Sequence, residues 1–384
     1  MNPLWEVRLL SPARTLSMKK GTTSVGVDIG TTTIKVVEIA NVHGSIEITS
    51  MASGRTPIDA VREGSVVDTS AVAEAVRRLW RETGIKNRNV ACGIAGQDVI
   101  VRPVSFPHMP YDELREAIKW EADKYLPFPT EDAMIDVVMP DPTSLLNDST
   151  SDVEVMLVAA LKSKVESYAI SLDLAGLNPI SIDIQPFCMM RAYGLEGSDD
   201  TGSVAYIDIG GGTTDLVICN GEHLRMTRIV QIGGNHFTDV VMSTMGLLES
   251  AAEKMKIDEL HIVPTEADYA SEIDSKRRAL LEGAYDVARG LCLECKRSIT
   301  YHDAQLQGKV ENLSVKEIVL AGGGSKLKGL AEMLSDMTGL PVSFGNPYLL
   351  VSPSSALSNK VDVQGLAPTM SVAVGLALRG VDLE

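Results

Sequence analysis

Apolar residues along the chain keep two rhythms. Short alternating or continuous runs at 24–38, 45–51, 89–94, 99–106, 134–139, 153–160, 204–209, 215–219 and 315–320 have the period of strands. Other stretches have helical spacing. Val72, Val76 and Leu79 follow Asp68, a helix-capping residue type. Leu114, Ile118, Trp120 and Tyr125 lie between proline-marked breaks at 107–110 and 126–129. Leu280, Ala284, Val287, Leu291 and Ile299 line one face of a long helix, or of a helix pair, over 273–299.

The order of these elements divides the chain. Residues 24–94 read as three strands, a helix and a strand, the first part of an open α/β lobe. Residues 99–176 read as strand, helix, strand, strand, helix, a small α+β module set into that lobe. A strand at 178–184 and a helix from Pro186 complete the lobe, and an acidic, small-residue turn at 196–202 leads into a second one. The expected boundaries are 1–21 for a flexible extension, 22–95 with 178–200 for the first lobe, 96–177 for the module, 201–362 for the second lobe, and 363–384 for a C-terminal helix packing back on the first.

One pattern occurs twice. The stretch 204–218 is an apolar run ending in Asp208, a glycine turn with two threonines, and a second apolar run. Residues 24–38 are a near-copy, in which Asp28 matches Asp208, Gly30 matches Gly210, and Thr32 matches Thr213 or Thr214. Glycines let a turn present its N–H groups to a phosphate, and threonine hydroxyls add donors. Gly30, Thr31, Thr32 and Thr33, with Gly210, Gly211, Gly212, Thr213 and Thr214, are therefore the phosphate-binding candidates. Lys35 either reaches a phosphate or faces solvent. Asp28 and Asp208 suit Mg²⁺ held mostly through water, since that ion prefers oxygen ligands and keeps several waters.

A third glycine turn, Gly322, Gly323, Gly324 and Ser325, follows an aliphatic strand and could pack against a base or ribose. Glu294 and Arg297, three apart on the helix before it, are candidates for polar contacts to the same group; an exposed or ion-paired Arg297 is the plainer alternative. For orienting a water, spacing alone does not choose among Gln97, Asp183, Gln185 and Asp215; Asp215 and Gln185 are carried forward. No P-loop lysine motif occurs. A dinucleotide GxGxxG reading fails because the glycines after Asp208 lead into a strand.

The 384-residue length agrees with two cores, and 45% apolar residues with 32 glycines agree with an α/β chain. A net charge of −16 argues against nucleic acid as a partner. Five cysteines, with one CxxC (Cys292, Cys295) inside a helical pattern, suggest reducing surroundings and no zinc or redox role. No run is apolar over the length of a membrane span, so none is expected.

The turns at Asp28, Asp208 and Ala321 together resemble the two phosphate motifs and the adenosine motif of the actin-like ATPase superfamily. More narrowly, residues 24–38, 117–128, 156–186 and 205–234 resemble the PilM family of type IV pilus and related type II secretion machines. That resemblance implies an actin-like ATPase fold of two ribonuclease-H-like lobes, with the module as the extra 1C-type subdomain shared with the division protein FtsA. It implies ATP and Mg²⁺ as ligands, at most slow hydrolysis, and Gly233, Gly234, Glu294, Arg297 and the 322–325 turn around the nucleoside. It implies a PilN-like bitopic membrane protein as partner through its short cytoplasmic N-terminal segment, with contacts to other platform components or to itself also open. The chain would then be cytoplasmic, peripheral at the inner face of the cytoplasmic membrane. Arg102, Pro103, Trp120, Tyr125 and Leu157 are the candidate groove residues, although a tryptophan within a helix such as Trp120 is more often a core residue than an anchor. Two rival readings are a filament-forming, FtsA-like protein and a small-molecule or sugar kinase on the same fold.

Overall fold

Each of two units is built on a sheet in which three antiparallel strands are followed by two parallel ones. In the computed structural model, residues 16–19, 21–138, 152–193, 202–221, 223–305 and 313–383 are described. The numbering below omits two-residue strands and single-turn helices.

The first unit takes in Met1–Leu195, Pro347–Leu366 and Met370–Glu384. Its strands are β1 (Thr23–Ile29), β2 (Thr33–Val42), β3 (Ser45–Arg55), β4 (Asn89–Ile94) and, after the module, β8 (Asn178–Ile184), in the order β8-β4-β1-β2-β3. Helix α1 (Thr69–Thr83) starts where the Asp68 carboxylate accepts from Ala71 N–H at 2.9 Å, and it stops at Gly84 in the left-handed conformation. Its Val72, Val76 and Leu79 are buried, as their spacing requires.

The module is a three-stranded antiparallel sheet, β5 (Val99–Phe106), β7 (Val153–Leu161) and β6 (Ala133–Val138), with β7 central. Helix α2 (Tyr111–Glu121) covers one face: Leu114 and Ile118 meet Val104, Phe106, Val137, Val155 and Leu157 in one apolar cluster. Helix α3 (Lys162–Leu174) leads back to β8, and α4 (Gln185–Tyr193) follows. Most of the polar loop expected between the module's last two strands, and all but the last residue of the 196–202 turn, lie outside the described residues.

The second unit takes in Glu196–Asn346 and Ala367–Thr369. Its strands β9 (Ser203–Ile209), β10 (Thr214–Asn220), β11 (His223–Val230), β12 (Val315–Ala321) and β13 (Val342–Phe344) run in the order β11-β10-β9-β12-β13. Helices α5 (Gly234–Met245), α6 (Glu249–Asp258), α7 (Ser275–Gln305) and α8 (Leu330–Thr338) accompany this sheet, and Phe237, Val241, Leu280, Ala284, Leu291 and Leu334 join its aliphatic strands in the core.

Two boundaries differ from the sequence reading. Residues 347–362 belong with the first unit: Ile48 N–H donates to Ser352 O at 3.0 Å, and Ser354 N–H donates to Ile48 O at 2.9 Å, which adds a parallel bridge at the open edge of β3 and so extends the sheet. The segment expected to be a flexible extension ends in a short strand, Leu16–Ser17, paired antiparallel with Asp382–Leu383.

The C-terminal helix α9 (Ser371–Leu378) is buried along its whole length in the first unit. Ser24 Oγ donates to Ala377 O at 2.6 Å, and Arg191 Nη1 donates to Gly375 O at 2.6 Å. Asp183, at the end of β8 and fully buried, pairs with Arg191 at 2.9 Å and with Arg379 at 2.5 Å. Burial alone would push its carboxyl up; the Arg191 and Arg379 guanidiniums outweigh burial and hold it below the usual carboxylate range. Asp183 is thus a structural anion, which removes it from the water-orienting candidates.

Candidate functional site: two Asp-Gly hairpins

The turn between β1 and β2 and the turn between β9 and β10 share one backbone form. Gly30 N–H donates to Thr33 O at 3.0 Å, and Gly210 N–H donates to Thr213 O at 2.9 Å. The strand registers pair Ile29 with Ile34 and Ile209 with Thr214. This corrects the alignment expected from sequence, in which Thr32 matched Thr213 or Thr214: Thr33 corresponds to Thr213, Ile34 to Thr214, and Thr32 to Gly212.

In each unit the turn's carbonyls are held from behind. Thr56 Oγ1 donates to Gly30 O at 2.7 Å, and Thr56 N–H donates to Thr32 O at 3.0 Å. In the second unit Gly234 N–H donates to Gly210 O at 2.9 Å, and Asn235 N–H donates to Gly211 O at 2.8 Å. Among the described residues, the N–H groups of Thr31, Thr32, Gly211 and Gly212 donate to no backbone carbonyl. Successive unclaimed N–H groups at a partly exposed turn make a concavity suited to an anion.

The carboxylates differ. Asp28 is buried; its Oδ2 accepts from Lys35 Nζ at 2.7 Å, and its Oδ1 has no hydrogen-bond partner among the described residues. Lys35 stands directly across the ladder from Asp28, whereas Asp215, also buried, stands directly across from Asp208. Tyr168 on α3 closes the hairpin of the first unit from below: its hydroxyl donates to Gly64 O at 3.1 Å and lies 3.4 Å from Ile29 O. Burial, with the Cys92 and Asp28 side chains adding, pushes that phenol well up.

In the second unit Gly233 is pressed onto the hairpin: a Cβ there would lie 2.6 Å from Gly211 O and 2.8 Å from Thr213 N. Gly233 N–H donates to His236 Nδ1 at 3.1 Å. Lys256 on α6 reaches the same spot, its Nζ donating to Gly234 O at 3.1 Å and Thr238 Oγ1 at 2.9 Å and pairing with Glu253 at 2.6 Å. Thr56, Tyr168, His236, Glu253 and Lys256 were not singled out from sequence. Only the Glu-x-x-Lys spacing, which puts Glu253 and Lys256 on one helix face, carried a signal.

The third glycine turn is organised by β9. Gly322 has φ +80°, and a Cβ there would fall on Asp208 Oδ1 and Ile209 O. Gly324 meets Ile209 in the same way, while Gly323 faces open space. Ser325 is buried and its hydroxyl donates to Gly322 O at 2.7 Å, so its side chain holds the turn and offers no donor to a nucleoside.

Other candidates fall out as follows. Thr214 is fully buried and its hydroxyl donates to Ile232 O at 2.7 Å, which takes it out of the phosphate donors. Glu294 is shared between Arg228 on β11 at 2.7 Å and Arg297 at 2.5 Å, so this pair forms an ion-pair cluster on α7. Gln185 is half-buried at the start of α4. In the module Leu157 is a core residue with no exposed surface and cannot line a groove. Tyr125 is half-buried against that core, and Arg102 and Pro103 are exposed. Trp120 is 85% exposed, which excludes the core reading.

Among the described residues no three His, Cys, Asp or Glu side chains converge on a point that could hold a metal. All five cysteines are free and buried, and burial pushes the Cys292 thiol up to about 12. No helix among the described residues is long and apolar enough to cross a membrane.

The model of the family described as type IV pilus assembly protein PilM matches residues 26–381. The chain belongs to the PilM family. A solved PilM–PilN type IV pilus biogenesis complex contains a chain 29% identical to this one, with a TM-score of 0.81 over 94% of this chain and 98% of that chain. Cell division protein FtsA of Neisseria meningitidis is 25% identical over 93% of this chain and 90% of its own length. Cell shape-determining protein MreB of Escherichia coli is 30% identical over 47% of this chain and 57% of its own. This PilM-family chain therefore has the mixed α/β actin-like ATPase fold, and the two sheets of matching strand order are its two halves.

Proposed function

We propose that this PilM-family chain takes ATP with Mg²⁺ at its Asp-Gly hairpins and docks the short cytoplasmic N-terminal segment of a PilN-like membrane protein, with nucleotide state biasing the docking. The observation that carries the reading is the full-length likeness to the chain solved in a PilM–PilN complex. Through that partner the protein would sit at the inner face of the cytoplasmic membrane, as part of a pilus or related secretion platform.

The hairpins support the nucleotide half of the reading. Backbone N–H groups at 31–32 and 211–212 would receive phosphate oxygens, with Gly323 the turn residue open to a nucleoside. The buried Oδ1 of Asp28, unpartnered among the described residues, fits a hydrated divalent cation, and with no convergent ligand cluster among those residues the ion would be held by one or two carboxylates, water and the phosphates themselves. When bound, Mg²⁺ supplies charge neutralisation on the polyphosphate. Asp208, whose Oδ1 occupies the place a Cβ on Gly322 would need, is the second metal-side candidate, and Asp215 is its neighbour for orienting a water.

For docking, residues 96–177 form the module with the surface to spare. Its exposed Trp120, Arg102 and Pro103 are open to a partner segment, and Tyr125 is half-buried.

The test is titration of the full chain with the N-terminal peptide of a candidate PilN-like protein, with and without Mg-ATP. Binding that strengthens or weakens at least threefold with Mg-ATP is expected. Absence of binding in both states overturns the docking reading. Equal binding in both states removes the nucleotide bias. Asp208→Ala is expected to abolish Mg²⁺-dependent ATP binding, and unchanged affinity removes Asp208 from the site.

A further inference from the structure

Asp28 and Lys35 raise a question that the phosphate reading of Lys35 does not answer. A buried carboxylate is costly unless a cation compensates it. Asp28 is 2% exposed, and its compensation comes from within the same hairpin: Lys35 Nζ sits 2.7 Å from Oδ2, with the lysine side chain itself only 15% exposed. The station is set by register, because Asp28 and Lys35 are cross-strand partners on adjacent strands. The corresponding station of the second unit holds Asp215, a further carboxylate, in place of a lysine. At the same time Asp28 Oδ1 is buried without a hydrogen-bond partner among the described residues, leaving a second acceptor on the same group.

A divalent cation approaching Asp28 thus meets a carboxylate whose charge is already balanced. A polyphosphate approaching the Gly30 turn meets a lysine, a compact and mobile point charge on a flexible stem that pairs readily with phosphate. We infer that Lys35 is a resident counter-ion of Asp28 that excludes a divalent metal until polyphosphate arrives. The phosphate oxygens then draw the ammonium off Asp28, and the carboxylate becomes available to the metal. This rests on the reading that the hairpins take a nucleotide, and it adds an order: metal alone is rejected, and metal enters with the polyphosphate. Lys35 in this role is a positioning residue, acting through Asp28. No covalent step is involved; one ion pair is exchanged for two.

The experiment follows free Mn²⁺, an oxygen-seeking stand-in for Mg²⁺, by its electron paramagnetic resonance signal in the presence of the nucleotide-free full chain. Wild type and Lys35→Arg, which keeps the cation, are expected to leave Mn²⁺ free. Lys35→Met is expected to bind Mn²⁺ about tenfold or more tightly than wild type, and Lys35→Met combined with Asp28→Asn is expected to lose that gain. Adding tripolyphosphate is expected to bring Mn²⁺ onto the wild-type chain.

Unchanged Mn²⁺ affinity in a Lys35→Met chain that melts cooperatively overturns the inference. Tight Mn²⁺ binding by nucleotide-free wild type that Asp28→Asn removes also overturns it, and this arm needs no lysine variant to fold. A fluorescent ATP analogue separates the two readings. If wild type fails to bind it with or without Mn²⁺, the nucleotide reading falls. If it binds and Lys35→Met gains no Mn²⁺ affinity, only the counter-ion role falls.

Discussion

The two hairpins have the same backbone and opposite electrostatics. Both close with a Gly N–H to a Thr carbonyl three residues on, and both have their carbonyls tied from behind. In the first unit the aspartate faces a lysine; in the second it faces another aspartate. The supports differ as well: a threonine side chain and its own N–H hold the first turn, while backbone N–H groups opening a helix hold the second. A duplicated fold therefore keeps the geometry that displays N–H groups and lets the charges diverge. The first unit balances its buried acids internally, at Asp28 with Lys35 and at Asp183 with Arg191 and Arg379. The second places Asp208 and Asp215 directly opposite one another across the ladder.

The largest break in that contrast is expected at Asp183. Asp183→Asn leaves two buried guanidiniums without their anion and should cost about 3–5 kcal/mol in urea unfolding. Because the folded-state carboxyl lies below its ordinary value, its stabilisation is full above the usual carboxylate range and is lost as pH falls through the depressed folded value. The D183N chain should accordingly lose part of the acid-side slope of stability against pH. An unchanged slope would show that Asp183 is not balanced as described.

Next comes Gly233→Ala, which drives a methyl into the Gly211–Thr213 backbone and should cost about 1–3 kcal/mol. Nucleotide affinity should fall with it. Gly30→Ala and Gly210→Ala, each meeting one carbonyl oxygen at 3.0 Å, should resemble one another in unfolding free energy if the turns are truly alike.

Asp28→Asn, which weakens the pair with Lys35, is expected to cost about 2 kcal/mol by the same measurement.

Much of this was legible from sequence for a specific reason. The Asp-x-Gly turns are local: two apolar runs and a glycine turn fix a hairpin whatever surrounds it, so Asp28, Gly30, Asp208 and Gly210 could be matched from residue order. The aliphatic strands and the α1 and α7 stripes were likewise visible, because each period reports one element's own geometry. What failed were statements about which side of an element a residue ends on. Leu157 and Trp120 stood together as groove candidates, yet one fills the module's core and the other is exposed, since the helix face that packs is set by Leu114 and Ile118. Thr214 and Ser325 have the chemistry of donors, but the fold uses their hydroxyls on Ile232 O and Gly322 O.

By itself the sequence determined the repeated hairpin and the α/β order around it, because strand, turn and helix signals act over a few residues. Only the tertiary structure decided which cation Asp28 keeps, that Gly322 must be glycine to pass Asp208, and that residues 347–362 extend the sheet of the first unit. Those are contacts between distant parts of the chain, and charge balance and close approach exist only once packing has brought the groups together.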